Sequence, residues 1–411
     1  MRDFPESFLW GSSTAAHQVD GGNTNNDWWA WEHAEGTPAV EPSGDAIQHR
    51  SRYEEDFALL ALLGHTAHRI SLEWSRIEPA DGVIDDDEIA HYRRVLSSLV
   101  RHGITPFVTL HHFTLPRWFA ERGGWAAPDA LDRFARYVAV VSEHLGDLIA
   151  YACTINEPQI VAFRGYVTGQ FPPGVRDRGL AVEVNAVLIA AHRVAVAALR
   201  AGRGEPLVGT CLQLVPLEPL RPDDPDDVHA TQFLRRLIVQ SHIDDLRAGG
   251  DVGDFVGLQY YTRVRIDARA DTLLADVPAG VPTTQMGWEL HPEGLGDMLR
   301  RLAEVGLPII VTENGIATDD DRERIAYVAA HLAELKRALD DVIDARGYLY
   351  WSAFDNFEWN HGYAPTFGLI GIDRADGLRR FVRPSALAFA ELARTGRLDA
   401  LTPAGGLVQP V

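Results

Sequence analysis

The chain predicts an α/β fold, a (β/α)8 barrel of the TIM-barrel type forming a single domain over 1–411. Three observations carry that prediction. Eight short apolar runs read as strands, most of them are separated by stretches long enough for a helix, and 411 residues suit a barrel with loop insertions at the C-terminal face of its strands. Hydrophobic residues make up 46% and charged residues 23%, so the chain can bury a large core and the disordered and collagen-like classes are set aside.

In order, the strands are expected over 8–14, 66–72, 105–112, 150–157, 207–214, 254–261, 308–314 and 347–355. Helical patterns fill 52–63, 87–101, 128–145, 181–201, 230–248, 292–304 and 319–346. The acidic runs 85–88 and 319–321 suit first helical turns, where the positive end of the helix dipole favours carboxylates. The Pro/Asp-rich stretch 219–227 and the stretch 267–282 read as loops on the barrel, and no internal repeat or Gly/Ser linker divides the chain.

A formal net charge of -20, spread without an acidic tail, disfavours nucleic acid and anionic membrane surfaces and suits a neutral small-molecule substrate. The start Met1-Arg2-Asp3-Phe4-Pro5-Glu6 lacks a basic segment followed by an apolar run, and no stretch free of charges reaches transmembrane length, so a cytoplasmic protein is expected. Cys153 and Cys211 lie in apolar strand-like runs, which favours buried thiols and leaves one disulfide open as an alternative. The histidines are scattered, and no phosphate-cradling or dinucleotide motif follows a strand, so neither a metal nor a cofactor is expected.

Two strand-like runs end in a glutamate: Thr154-Ile155-Asn156-Glu157-Pro158 and Ile310-Val311-Thr312-Glu313-Asn314-Gly315. Carboxylates are costly to hold near a core unless paired or working, so two of them at the ends of buried strands point to paired-carboxylate chemistry. Glycoside hydrolysis is the familiar case: one carboxyl donates a proton while the other attacks the sugar or activates water. Barrel enzymes place their chemistry at the C-terminal strand ends, where Glu157 and Glu313 fall on the fourth and seventh strands.

Further motifs extend this. Phe8-Leu9-Trp10-Gly11 with Gln18, Arg69-Ile70-Ser71 with Trp74-Ser75-Arg76-Ile77, the two glutamate motifs, and Asp355-Asn356-Phe357-Glu358-Trp359 together resemble the family 1 glycoside hydrolases. The resemblance runs in the expected order over nearly the whole chain. It implies a retaining β-glycosidase, β-glucosidase-like, with Glu157 as acid/base and Glu313 as nucleophile. Retention requires carboxyl groups about 5–5.5 Å apart, with Glu157 protonated and Glu313 ionised at the start. By the same resemblance Arg69 and Tyr261 support the nucleophile, Arg69 lowering its pKa. Gln18, His112, Asn156, Glu358 and Trp359 would hold sugar hydroxyls, Trp351 would stack on the ring and Phe367 would close the pocket. His112 and Trp351 also fit plain core roles, as His111 does.

Three positions depart from the family pattern. Phe113 stands where Trp is common and removes an indole N–H, Gln259 stands where Asn is usual and keeps an amide for substrate binding, and Asp20 replaces a Glu. The region 220–254 looks trimmed, which implies a more open entrance and tolerance of bulky leaving groups. Glu358 would repel a phosphorylated sugar. Two other readings remain: a transglycosidase using the same residues with a non-water acceptor, and a non-catalytic carbohydrate-binding barrel.

Overall fold

The computed structural model describes residues 2–401. Eight strands close into a parallel barrel: β1 Leu9–Ser13, β2 Ala67–Ser71, β3 Thr105–His111, β4 Tyr151–Asn156, β5 Leu207–Gln213, β6 Phe255–Gln259, β7 Ile309–Asn314 and β8 Ala345–Trp351. Each pairs with its sequence neighbours, and β8 closes the ring on β1 through Leu9–Gly347 to Ser13–Trp351. The expected barrel is therefore the observed one. Residues 1 and 402–411 of its assigned span lie outside the described residues.

The outer layer comprises α1 His49–Leu62, α2 Asp86–Arg101, α3 Ala130–Leu145, α4 Arg178–Ala201, α5 Pro225–Leu234, α6 Glu293–Ala303, α7 Asp321–Asp340 and α8 Pro384–Thr395. Aspartate caps start several of these helices. Asp85 accepts from Glu88 N, Asp177 from Gly179 N and Leu180 N, and Asp320 from Arg322 N, so both acidic runs do sit at helix starts. The chain of α5 continues through a wide turn, Arg235–Gln240, into Ser241–Arg247.

Three expectations differ from the structure. The helix expected over 319–346 stops at Asp340, because Val342 turns into the left-handed region at φ 65° and the last strand begins at Ala345. That strand ends at Trp351 instead of residue 355. The helix α8 was not anticipated, although Pro384 opens it and Gly396 at φ 63° closes it. By length and composition α4 alone, among the described residues, could cross a membrane. Here it is part of the barrel's outer layer, burying Ala181, Val184, Leu188, Ala191 and Ala195 along one face, and that burial accounts for its apolar composition.

At its lower end the barrel interior is filled by Ala67, Phe107, Cys153, Cys211, Phe255, Ile310 and Leu349. Both cysteines are buried free thiols. Side chains alternate along a strand, so Arg69, two residues beyond Ala67, also points inward, one layer nearer the mouth. The strands bearing the two glutamates each carry one extra residue just before the mouth. Along β4 and β5 the register passes from Cys153–Gly209 to Asn156–Cys211, and along β6 and β7 from Leu258–Val311 to Gln259–Glu313. Such bulges bend a strand and redirect the side chains that follow.

Candidate active site

Glu157 is the first residue beyond β4, and it takes the left-handed conformation at φ 46° and ψ 54°. Non-glycine residues seldom adopt this backbone, and here it turns the chain sharply into the short helix Pro158–Ala162. Its amide donates to Cys211 O at 2.8 Å, which ties the turn to β5. The carboxyl lines the cavity at the barrel mouth.

Glu313 is the penultimate residue of β7 and is held by three side chains. Arg69 Nη1 and Gln259 Nε2 each donate to its Oε1 at 2.5 Å, and Tyr261 Oη donates to Oε2 at 2.5 Å. Arg69 is fully buried and also donates to Thr109 Oγ1 at 2.8 Å and to Asn156 Oδ1. Gln259 reaches the same Asn156 oxygen at 2.7 Å. Next along the strand, Asn314 fixes its end: its Nδ2 donates to Tyr260 O at 2.7 Å and its Oδ1 accepts from Tyr348 Oη at 2.8 Å. Gly315 must lack a side chain, since a Cβ there would lie 1.7 Å from Trp351 O.

Burial raises both carboxyls, but to different degrees. Glu157 is pushed well above the ordinary carboxyl range by desolvation and then by the charge of Glu313. Glu313 is also raised by burial, while Arg69, Tyr261 and Gln259 act in the opposite direction. Arg69 thus acts to lower the pKa of Glu313, as expected, while burial outweighs it and leaves the net value raised. The larger rise at Glu157 favours ionisation of Glu313 before Glu157.

Around them lies a cavity lined by His112, Phe113, Asn156, Trp351, Glu358, Trp359 and Phe367 as well as by both glutamates. The His112 ring lies parallel to Trp351 at 6.1 Å and to Trp359 at 6.2 Å, and burial holds it neutral. Trp359 is braced from behind by stacking on His17 at 5.8 Å. Glu358 is pushed up to about 8 by desolvation and by Glu313. Gln18 lies behind this wall, donating to Phe357 O at 2.8 Å, while its own Oε1 is buried without a partner. Asp20 stands apart, lining a surface hollow with Arg50 and His91.

Gln259 was expected among the substrate-binding residues. The structure places its amide N–H on Glu313 and Asn156 and buries it completely, away from the cavity wall; the extra methylene lets it span both acceptors. Phe113 keeps the aromatic contact, edge-on to Trp359 at 5.2 Å, without an indole donor. His111 packs edge-on against Trp125 at 5.2 Å in the core.

Residues not singled out in the sequence complete the wall: Ile160, Arg164, Phe171, Gln213, Met286, Trp288, Asn360 and His361. Glu157, Ile160 and Arg164 follow the i, i+3, i+7 pattern of one helical face, a signal visible in the sequence. Trp288 packs on Tyr261 at 5.2 Å from a long loop whose course no local pattern announces. Across Ile160, Arg164, Gln213 and Trp288 lies a second chamber, lined further by Val215, Leu217, Ile238 and Arg263. Among the described residues no cluster of three His, Cys, Asp or Glu side chains could hold a metal ion.

Comparison with known proteins agrees with this geometry. The sequence profile of glycosyl hydrolase family 1 matches residues 1–252 and 244–397. Beta-glucosidase A of Thermotoga maritima is 32% identical, over 97% of this chain and 99% of its own. A beta-galactosidase of Sulfolobus acidocaldarius is 30% identical, over 96% of each. The solved structure of a beta-glycosidase from Pyrococcus horikoshii superposes with a TM-score of 0.88 at 34% identity, over 96% of each chain. With the barrel, the two mouth glutamates and matches of this length, the chain belongs to glycosyl hydrolase family 1 and is a glycoside hydrolase.

Proposed function

We propose that the chain is a retaining exo-β-glycosidase, β-glucosidase-like, releasing one non-reducing sugar by double displacement. The observation that supports this reading best is the asymmetry of the two glutamates. Glu313 is fixed by three donors and ionises first, while Glu157 keeps its proton and faces the cavity with no protein hydrogen bond to its carboxyl among the described residues. In this reading the carboxylate of Glu313 attacks the anomeric carbon as Glu157 protonates the departing oxygen. Glu157, now a base, takes a proton from water, which releases the sugar from Glu313.

Trp351 offers an aromatic face to the ring, and His112, Asn156, Glu358 and Trp359 offer polar groups to its hydroxyls. Asn156 Oδ1 is already occupied by Arg69 and Gln259, so its amide N–H is the group left for a hydroxyl. Relatives named for glucosides and for galactosides both support the class without narrowing the sugar. The missing donor at Phe113 favours relaxed recognition of one hydroxyl. A panel of aryl β-glucosides, β-galactosides, β-fucosides and β-xylosides, with Glu313→Gln as control, tests the reading. Turnover of several of these sugars, lost in the control, is expected; turnover that survives in Glu313→Gln contradicts it.

A further inference from the structure

Arg164 is a cation that the mechanism above does not use. It sits in the wide turn Phe163–Val167 that extends the short helix after Glu157, and it lines both the catalytic cavity and the second chamber. Its Nη1 donates to Gln170 Oε1 at 2.6 Å, and its guanidinium carbon lies 5.5 Å from the centre of the Phe171 ring. These contacts hold one edge. The other guanidinium N–H groups have no acceptor among the described residues, yet they are not shut away from solvent, so they open to the cavity.

The neighbouring cations of that chamber are already neutralised. Arg263 and Arg265 both pair with Glu289 at 2.6 Å. Arg164 has no carboxylate within ion-pair distance among the described residues, although Glu157 and Glu358 act on it from farther off. A partly buried guanidinium with an open fork is suited to an incoming carboxylate, which it can engage through two charge-assisted hydrogen bonds.

Its position indicates which side of the scissile bond that carboxylate occupies. The second chamber is walled by Arg164, Ile160, Gln213 and Trp288, and none of Glu157, Glu313, Glu358, His112 or Trp351 lines it. Arg164 follows Glu157 by seven residues on the helical segment that leaves the end of β4. A group docked on Arg164 from that chamber lies away from Glu313 and Trp351, which in the glycosidase reading is the side of the departing group.

We propose that Arg164 is a specificity-determining residue for anionic leaving groups, the substrates being β-glycosides whose aglycone carries a carboxylate that docks on the open edge of its guanidinium. This rests on the glycosidase reading of Glu157 and Glu313. The test compares kcat/KM for 3- and 4-carboxyphenyl β-glucosides with the uncharged carbamoylphenyl counterparts, in the unaltered chain, Arg164→Met and Arg164→Lys. Dividing each carboxylate value by its amide value, and then comparing variants, cancels intrinsic leaving-group reactivity. For at least one isomer the ratio should fall by about 10- to 100-fold in Arg164→Met, mainly through KM, with part retained in Arg164→Lys. An unchanged ratio in both variants overturns the proposal. So does a loss confined to aryl β-glucuronides, which would assign the guanidinium to a carboxylate on the sugar itself. Turnover of the amide substrates that persists in Glu313→Gln would instead count against the glycosidase reading, so the two failures are distinguishable.

Discussion

Arg69 and Glu313 form a buried ion pair at 2.5 Å, and the same guanidinium also holds Thr109 and Asn156. One side chain thus positions the Glu313 carboxylate and the Asn156 amide together. Lysine at this place retains the charge but not the fork. We expect Arg69→Lys to lower kcat by about 10²-fold and to move the acidic limb of the pH–kcat/KM profile to higher pH, since Glu313 would ionise less readily with weaker cationic support. An acidic limb that stays in place in a folded variant would contradict this role. Arg69→Met leaves a buried carboxylate unpaired, and a stability loss of about 3–5 kcal/mol in denaturant unfolding is expected.

Tyr261 gives Glu313 its only hydrogen bond on Oε2 among the described residues. A hydrogen bond to a charged acceptor contributes roughly 1.5–3 kcal/mol, so Tyr261→Phe is expected to lower kcat by about 10- to 100-fold. The ring still packs against Trp288 and Phe367, so the melting temperature should change little. A large fall in melting temperature with kcat intact would reverse this assignment.

Glu157 links activity to stability through its proton. Its folded pKa lies well above the ordinary 4.5, so the folded state binds this proton more tightly than the unfolded chain does. The associated stability is full below about pH 4.5 and is lost as pH rises through the folded value. Glu157→Gln removes the titration. The variant should therefore melt higher than the unaltered chain at neutral to alkaline pH, by about 1–3 °C, with the difference vanishing near pH 4. Calorimetry across that pH range measures it, and a difference that is largest in acid would contradict the pKa direction.

Much of this site was legible in the sequence because it is carried by short motifs at strand ends. The glutamates, Arg69, Tyr261, His112 and Trp351 all lie on barrel strands or within two residues of their ends, where the alternation of side chains and the order of strands decide what faces the mouth. Gln259 was read as a sugar contact because its amide suits one. Only the three-dimensional register, with Gln259 paired to Glu313, shows that amide turned onto the Glu313 carboxyl. Trp288 and the second chamber come from loops, and loop paths depend on tertiary packing that no periodicity encodes. Helix α8 shows the reverse case: its proline start and glycine stop were both present in the sequence, in a stretch lacking any catalytic motif.

The central claim, that Glu313 attacks the sugar and Glu157 supplies the proton, is tested most directly by trapping the intermediate. The whole chain would be incubated with an activated 2-deoxy-2-fluoro β-glucoside, whose fluorine slows release of the sugar from the enzyme, and then peptide-mapped by mass spectrometry. A single fluoroglucosyl adduct on the peptide bearing Glu313 is expected. An adduct on Glu157, or turnover of the reagent with inversion at the anomeric carbon and no adduct, would contradict the account.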